Sequence, residues 1–279
     1  MQRASAIIAA LMASALGCVG QAWTMADPAL MGSQYVAPTA PYWSPTNAYA
    51  WYWTGKTNMA SGASVNWIAD ASGNLGGVLS NVSTLTSVYW TNNFITTNAA
   101  MYWRADGVTR GMTNMFLSNL STPITVVMVG NLNTNGTGAA NNLVYDTLTI
   151  TPANRVYGEI LAGAPCSLRL YSGGTYYSPP GGFALNTPQI LSFCANGTAS
   201  FIRTNGLLCG VGTTAGATSI GGMTIGCGAA LGANTSMAGG LCELLVYSGT
   251  MNTNDLQWAE YQLGLRYGIH TYTVYTGYQ

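Results

Sequence analysis

The sequence predicts an all-β protein: a two-sheet antiparallel sandwich closed by one short C-terminal α-helix. Three observations carry that reading. From Tyr49 onward, short apolar runs alternate with turns rich in Gly, Asn, Thr and Ser at a spacing of roughly 8 to 12 residues, the rhythm of a β-sandwich. No long amphipathic period occurs before residue 250, and no repeat of fixed length is visible. Between residues 252 and 267, by contrast, a single capped helical pattern stands out.

Taken in order, the chain starts with "MQRASAIIAALMASALGCVGQAW", in which Arg3 precedes an apolar run from Ala6 to Leu16 and small residues surround Gly20 to Ala22. This is the form of a secretory leader over residues 1–22, and the run falls short of the about 20 apolar residues that a membrane-spanning helix takes. A short buried or interface helix is the other reading of the same residues. Residues 23–48, with Pro28, Pro38, Pro41 and Pro45, read as an extended arm. A domain over 49–270 and a tail at 271–279 complete the expected organisation.

Within the domain the clearest strands are "ITVVMVGNL" (124–132), "NLVYDTLTI" (142–150), "CSLRLYSG" (166–173), "QILSFCANG" (189–197), "ASFIRTNGLLCG" (199–210), "MTIGCGA" (223–229) and "CELLVYSG" (242–249). Asn196-Gly197 has the two residues tolerant of positive φ that a tight hairpin turn demands, which puts Phe193 and Phe201 on neighbouring antiparallel strands. Asn205-Gly206 turns the chain again. Cys194 and Cys209 then lie on strands either side of "FIRT", a candidate disulfide if those two strands meet. In the helix, Asn252 is the N-cap and Asp255 completes a capping box at the positive end of the dipole. Leu256, Ala259, Leu263 and Tyr267 form its buried face, Arg266 sits near its C-terminus, and Gly268 offers the C′ residue.

Charge is scarce. Lys, Arg, Asp and Glu make up 6% of the 279 residues, 8 cations against 8 anions, where an ordinary soluble protein carries about 25%. A phosphate-reading nucleic-acid binder needs a basic surface, so that class is excluded. Polarity comes instead from Asn, Thr, Ser, Gly and Tyr, and a neutral surface with little colloidal repulsion favours self-association. The six cysteines, at 18, 166, 194, 209, 227 and 242, show no close metal-ligand spacing, and His270 is the single histidine, which argues against a zinc site.

Four segments, in order, resemble the LamG-like jelly-roll domains of the concanavalin A-like lectin/glucanase superfamily, which occur in bacterial secreted proteins and phage virions. The first, residues 48–74, holds Trp67, Asp70, Ser72, Gly73 and Asn74 in a W-x-D-x-S-G-N turn. The second, residues 99–132, holds Arg104, Asp106 and Gly107, although Thr109 and Arg110 stand where the family has an acidic pair. The third is the hairpin at 199–210, and the fourth runs from Gly240 to His270, ending in Tyr-Gly-Ile. The resemblance implies a jelly roll over roughly residues 48–270.

Glucanases of that superfamily carry carboxylates on alternate positions of one strand, because glycoside cleavage needs two of them roughly 5 to 9 Å apart. Glu243 is followed by Leu-Leu-Val-Tyr, and the other acids stand alone in sequence, so a non-enzymatic protein is expected. Sugars pack flat C–H faces on aromatic rings and bond amides and hydroxyls. Of the aromatics, Trp51, Trp53 and Trp67 match positions that are core residues in the family. Trp90, Trp103, Tyr176 and Tyr177 lie beside turns and are the candidate glycan contacts. The resemblance also makes Asp70 and Asp106 weak calcium candidates, with turn capping as their other role. The expected function is therefore a secreted or surface module for glycan binding or adhesion, with neutral glycans as partners. The alternative is a structural subunit that assembles with copies of itself, as in a virion or extracellular filament.

Overall fold

The computed structural model describes residues 48–134, 141–161, 167–179, 183–217, 219–229 and 236–271. The predicted leader, the arm up to residue 47, Cys18, Cys166 and the tail from residue 272 lie outside the described residues. The first eight strands are β1 (Ala50–Trp53), β2 (Trp67–Ile68), β3 (Leu79–Asn81), β4 (Tyr89–Ile95), β5 (Asn98–Trp103), β6 (Met112–Leu120), β7 (Ile124–Thr134) and β8 (Asn141–Thr147). The second eight are β9 (Val156–Leu161), β10 (Ser167–Ser172), β11 (Thr175–Tyr177), β12 (Pro188–Ala195), β13 (Ser200–Thr204), β14 (Leu207–Gly212), β15 (Ile220–Ile225) and β16 (Met237–Ser248). Helix α1 (Thr253–Tyr267) follows.

Two antiparallel sheets of eight strands each make a jelly-roll sandwich, as the sequence predicts. Sheet 1 runs β14-β13-β12-β7-β16-β5-β4, and sheet 2 runs β11-β10-β9-β8-β15-β6-β3-β2. Strand β16 is the axis of sheet 1. One of its edges pairs with β7 along its whole length, while the other is shared between β5 at Gly239–Leu241 and β1 at Glu243–Val246.

The alternation of side chains along these strands explains their unusual apolarity. In β7, Val126 and Met128 enter the core between the sheets, whereas Val127 and Val129 enter a second core on the outer face of sheet 1. A strand buried on both faces has no polar position left, hence the unbroken run "VVMV". The second core is roofed by α1 through Leu256, Leu263 and Tyr267, all at most 2% exposed. The Asn252 side chain accepts the Asp255 N–H at 2.9 Å, and Gly268 closes the helix at φ 65°, its N–H bonded to the Gly264 carbonyl. Two further helix residues are buried beyond the four expected, Gly264 and Glu260; the latter, 0% exposed, takes Arg203 from β13 at 2.9 Å and the Ser192 hydroxyl from β12 at 2.8 Å.

Two hairpin expectations separate here. Asn205 (φ 50°) and Gly206 (φ 82°) make the expected two-residue turn between Thr204 and Leu207. At Asn196-Gly197 the turn is longer: residues 196–199 intervene, closed by Ala199 N–H on the Asn196 carbonyl at 2.9 Å, because Ser200 bonds back to both Asn196 N and Gly197 O. Strands β12 and β13 still pair, with Cys194 opposite Phe201.

The candidate Cys194–Cys209 disulfide is not formed. Strand β13 lies between β12 and β14, and two strand spacings amount to about 9.5 Å, beyond the about 7 Å that a disulfide spans between Cα atoms. Burial pushes the thiols of Cys194 and Cys242 up and that of Cys227 up to about 12, leaving Cys209 half-exposed on β14. Among the described cysteines, iodoacetamide at neutral pH will therefore modify Cys209 in the folded protein and the other three only after denaturation. Peptide mass spectrometry reads this directly, and native labelling of Cys194 would show that β12 is open. Among the described residues, no helix is long and apolar enough to cross a membrane.

Candidate functional site

A cleft of about 690 Å³ opens where the chain leaves β1 in sheet 1 and passes β2 at the edge of sheet 2. One wall is the turn after β1. The buried Thr54 hydroxyl lies 2.7 Å from the Ala99 carbonyl and 2.8 Å from that of Cys242, donating between them and pinning the turn to sheet 1. Gly55 follows because a Cβ there would sit 2.4 Å from the Trp53 ring. That ring stacks on Trp51 at 5.4 Å, and Lys56 Nζ stands 5.6 Å from its centroid. Lys56, Asn58 and Met59 face the cleft from this side.

The other wall is Asn66, Trp67 and the loop after Ile68. Ile68 is 1% exposed in the central core, so strand alternation points its neighbour outward: Trp67 is 61% exposed. Asp70 holds the loop. Its carboxylate accepts the N–H groups of Trp51 (2.8 Å), Ser72 (3.0 Å) and Gly76 (3.1 Å) and the Ser72 hydroxyl. An oxygen pair facing this many donors suits turn capping, and a cation does not fit it. Asp106 does not fit one either, since Arg110 holds both its oxygens, at 2.5 and 2.8 Å.

These hydrogen bonds from Arg110 hold the Asp106 carboxyl down at about 2. A folded-state value below the unfolded one contributes stability above the ordinary aspartate range and loses it as the pH falls toward 2. In an NMR titration the Asp106 carboxyl carbon will shift near pH 2, and Arg110→Met will return the midpoint to the ordinary range. A wild-type midpoint near 4 would mean that the bridge is absent.

Behind the first wall lies Glu243, 0% exposed. It takes Trp51 Nε1 at 2.7 Å, Arg266 Nη1 at 2.8 Å and the Tyr267 hydroxyl at 2.8 Å. Together these donors hold an ion pair that ties β16 to the end of α1. Strand pairing puts two other acids on neighbouring strands of sheet 2, out of direct register: Asp146 on β8 lies opposite Tyr157, and Glu159 on β9 lies opposite Leu143. Burial raises both carboxyls, and each is bound by a guanidinium, Arg155 at 2.7 Å and Arg169 respectively.

The four predicted glycan contacts scatter. Trp90 and Trp103, 1% and 0% exposed, are core residues with no ring face open to a ligand. Lying beside a turn did not decide their direction; strand alternation did, and Trp103 packs so closely on Gly226 that a Cβ there would lie 2.2 Å from its ring nitrogen. Tyr176 is 52% exposed and meets Tyr171 edge-on at 4.8 Å on the outer face of sheet 2. Tyr177, next in the strand, points the opposite way, against the core and Gly212. Tyr176 on β11 and Trp67 on β2 are at opposite edges of the same sheet, on the order of 30 Å apart.

No protein-family model matches the chain, and no curated protein matches it in sequence. Solved structures do match. Domain 4 of AbnA, a GH43 extracellular arabinanase from Geobacillus stearothermophilus in complex with arabinotriose, aligns with a TM-score of 0.53 at 14% identity, over 75% of this chain and 96% of that one. A GH54 α-L-arabinofuranosidase soaked with a cyclic sulfate inhibitor aligns at 0.56 and 12% identity, over 72% of this chain and 50% of that one. The ligand binding domain of botulinum neurotoxin serotype D, in complex with N-acetylneuraminic acid, aligns at 0.53 and 10% identity, over 80% of this chain and 52% of that one. The chain thus spans about half of the latter two.

Proposed function

We propose that this chain, whose fold is the concanavalin A-like lectin/glucanase type of β-sandwich, is a non-enzymatic saccharide-binding module of an extracellular or surface protein, with the Trp67 cleft as its site. The observation that carries the reading is Trp67, 61% exposed in a cleft that also bears the amides of Asn66 beside it and Asn58 on the other wall. An exposed indole is costly to leave in water and offers a flat platform for C–H faces, while the amides supply donors and acceptors for hydroxyls. Two structural neighbours contain saccharides, arabinotriose in one and N-acetylneuraminic acid in the other, which agrees with the reading. Glycan-array binding by the whole chain tests it. Binding that disappears in Trp67→Ala and persists in Tyr176→Ala supports the cleft; binding insensitive to Trp67 overturns it.

A second reading, a subunit that assembles with copies of itself, is favoured by β14. This edge strand exposes Leu207 (56%), Leu208 (47%) and Val211 (58%) and carries no charge, the combination that invites edge-to-edge pairing. On this reading the wild-type chain sediments as ordered oligomers and Leu208→Lys as a monomer. A wild-type monomer at high concentration would remove it.

A further inference from the structure

We infer that the saccharide taken by the Trp67 cleft is acidic, bearing a carboxylate that meets Lys56. The inference rests on the saccharide-binding reading and adds the charge of the ligand. It comes from where the protein's few cations go. Among the described residues there are seven, and five of them, Arg110, Arg155, Arg169, Arg203 and Arg266, are held by carboxylates. Arg104 has its guanidinium carbon over the Tyr89 ring, 3.9 Å from the centroid. Lys56 is the only lysine in the sequence. It is exposed, lines the cleft, and makes no ion pair among the described residues; its partner is the Trp53 face.

The acids nearby leave that charge uncompensated. Asp70 turns its oxygens to the backbone donors of its own loop and to Trp51. Glu243 is fully buried and neutralised by Arg266. The cleft therefore presents one positive charge on the rim beside an exposed indole and two amides, in a chain whose formal net charge is zero. A neutral sugar would use the platform and the amides and leave the ammonium in water. A uronate or sialate uses all of them, because its carboxylate extends from the edge of the ring while a C–H face stays free for Trp67. The ammonium reaches on a flexible stem and gives a point charge, which favours a single carboxylate without fixing its orientation. A neutral glycan, the ligand expected from composition, is the alternative outcome of the test.

The test is an array of uronate- and sialate-bearing saccharides printed beside their carboxyl-reduced counterparts, with a sulfated set as a third arm, probed with the whole chain and with Lys56→Gln and Trp67→Ala. The carboxylated members are expected to bind about fivefold to tenfold more tightly than their reduced counterparts at low salt, with that margin falling at 0.5 M NaCl. Lys56→Gln removes the margin, and Trp67→Ala removes binding of both sets. Equal binding of each acidic saccharide and its reduced counterpart, unaffected by Lys56→Gln, overturns the inference while the saccharide-binding reading stands. Preference for the sulfated set alone overturns the carboxylate assignment. No binding to any set overturns both the inference and the reading on which it rests.

Discussion

Arg203→Met will lower the unfolding free energy by about 3–5 kcal/mol, as expected when one partner of a buried ion pair is removed. Arg203 and Glu260 are 7% and 0% exposed, and the guanidinium bonds the carboxylate through Nε at 2.9 Å and Nη2 at 2.9 Å. It also donates to the Gly206 carbonyl at 2.5 Å, so methionine leaves two buried acceptors short of donors. Only the Ser192 hydroxyl would remain for Glu260. Because the pair joins α1 to β12 and β13, the helix roof over the second core should loosen first. The double variant Arg203→Met/Glu260→Leu is expected to recover most of the loss, since an apolar pair of similar volume avoids desolvating two charges. Urea unfolding of the four proteins of this cycle reads both terms. A single-variant loss below about 1 kcal/mol would mean that water reaches Glu260 and that the pair is not a buried one.

The second large effect is a crossover between two tryptophans. Trp67→Ala should weaken saccharide binding by about 2 kcal/mol, roughly thirtyfold, while changing stability by no more than about 0.5 kcal/mol, because the ring packs on little in the unbound protein. Trp90→Ala should do the reverse. Its ring is 1% exposed among the central core side chains, its Nε1 is bonded to Asn92 at 2.8 Å, and its loss leaves a cavity costing about 3–5 kcal/mol. Whatever fraction of Trp90→Ala remains folded should bind with wild-type affinity. Calorimetric binding and thermal unfolding of both variants decide the matter. Loss of affinity in a folded Trp90→Ala would mean that binding depends on β4, whose Asn92 bonds the carbonyl of the cleft residue Met59 at 3.4 Å, as well as on Trp67.

The fold was legible because its signals are local or periodic. The Asn252 cap and Gly268 terminator act within one turn of the helix they bound, and they appear in the structure where the sequence places them. The unbroken apolar runs in β7 and β16 mark strands covered on both faces, and they prove to be the central pair of sheet 1. Asn205-Gly206 forms its turn because both residues accept positive φ without help from elsewhere.

The candidate site was much less legible. In "VNWIAD" both Trp67 and Ile68 are apolar, and only one of two adjacent strand residues can face the core. Which one does so depends on the register of β2 against β3, where Trp67 pairs with Ser80 and Ile68 with Leu79. Asn196-Gly197 carries the same dipeptide as the turn at 205 and yet forms a four-residue connection, because Ser200 offers competing hydrogen bonds.

By itself, then, the sequence determined the class of architecture, the single helix and its caps, the scarcity of charge, and the lack of alternating carboxylates along any one strand. All of these follow from composition or from interactions within a few residues. Only the tertiary structure decided which tryptophans are core and which is exposed, that the strands of Cys194 and Cys209 do not meet, and that Glu260 and Glu243 are bound by arginines 57 and 23 positions away. The same holds for Lys56, which reads as one charge among sixteen until the folded chain pairs five arginines elsewhere and leaves it at the cleft. Such outcomes are set by strand order and register, which join residues far apart in the chain, and no local pattern encodes them.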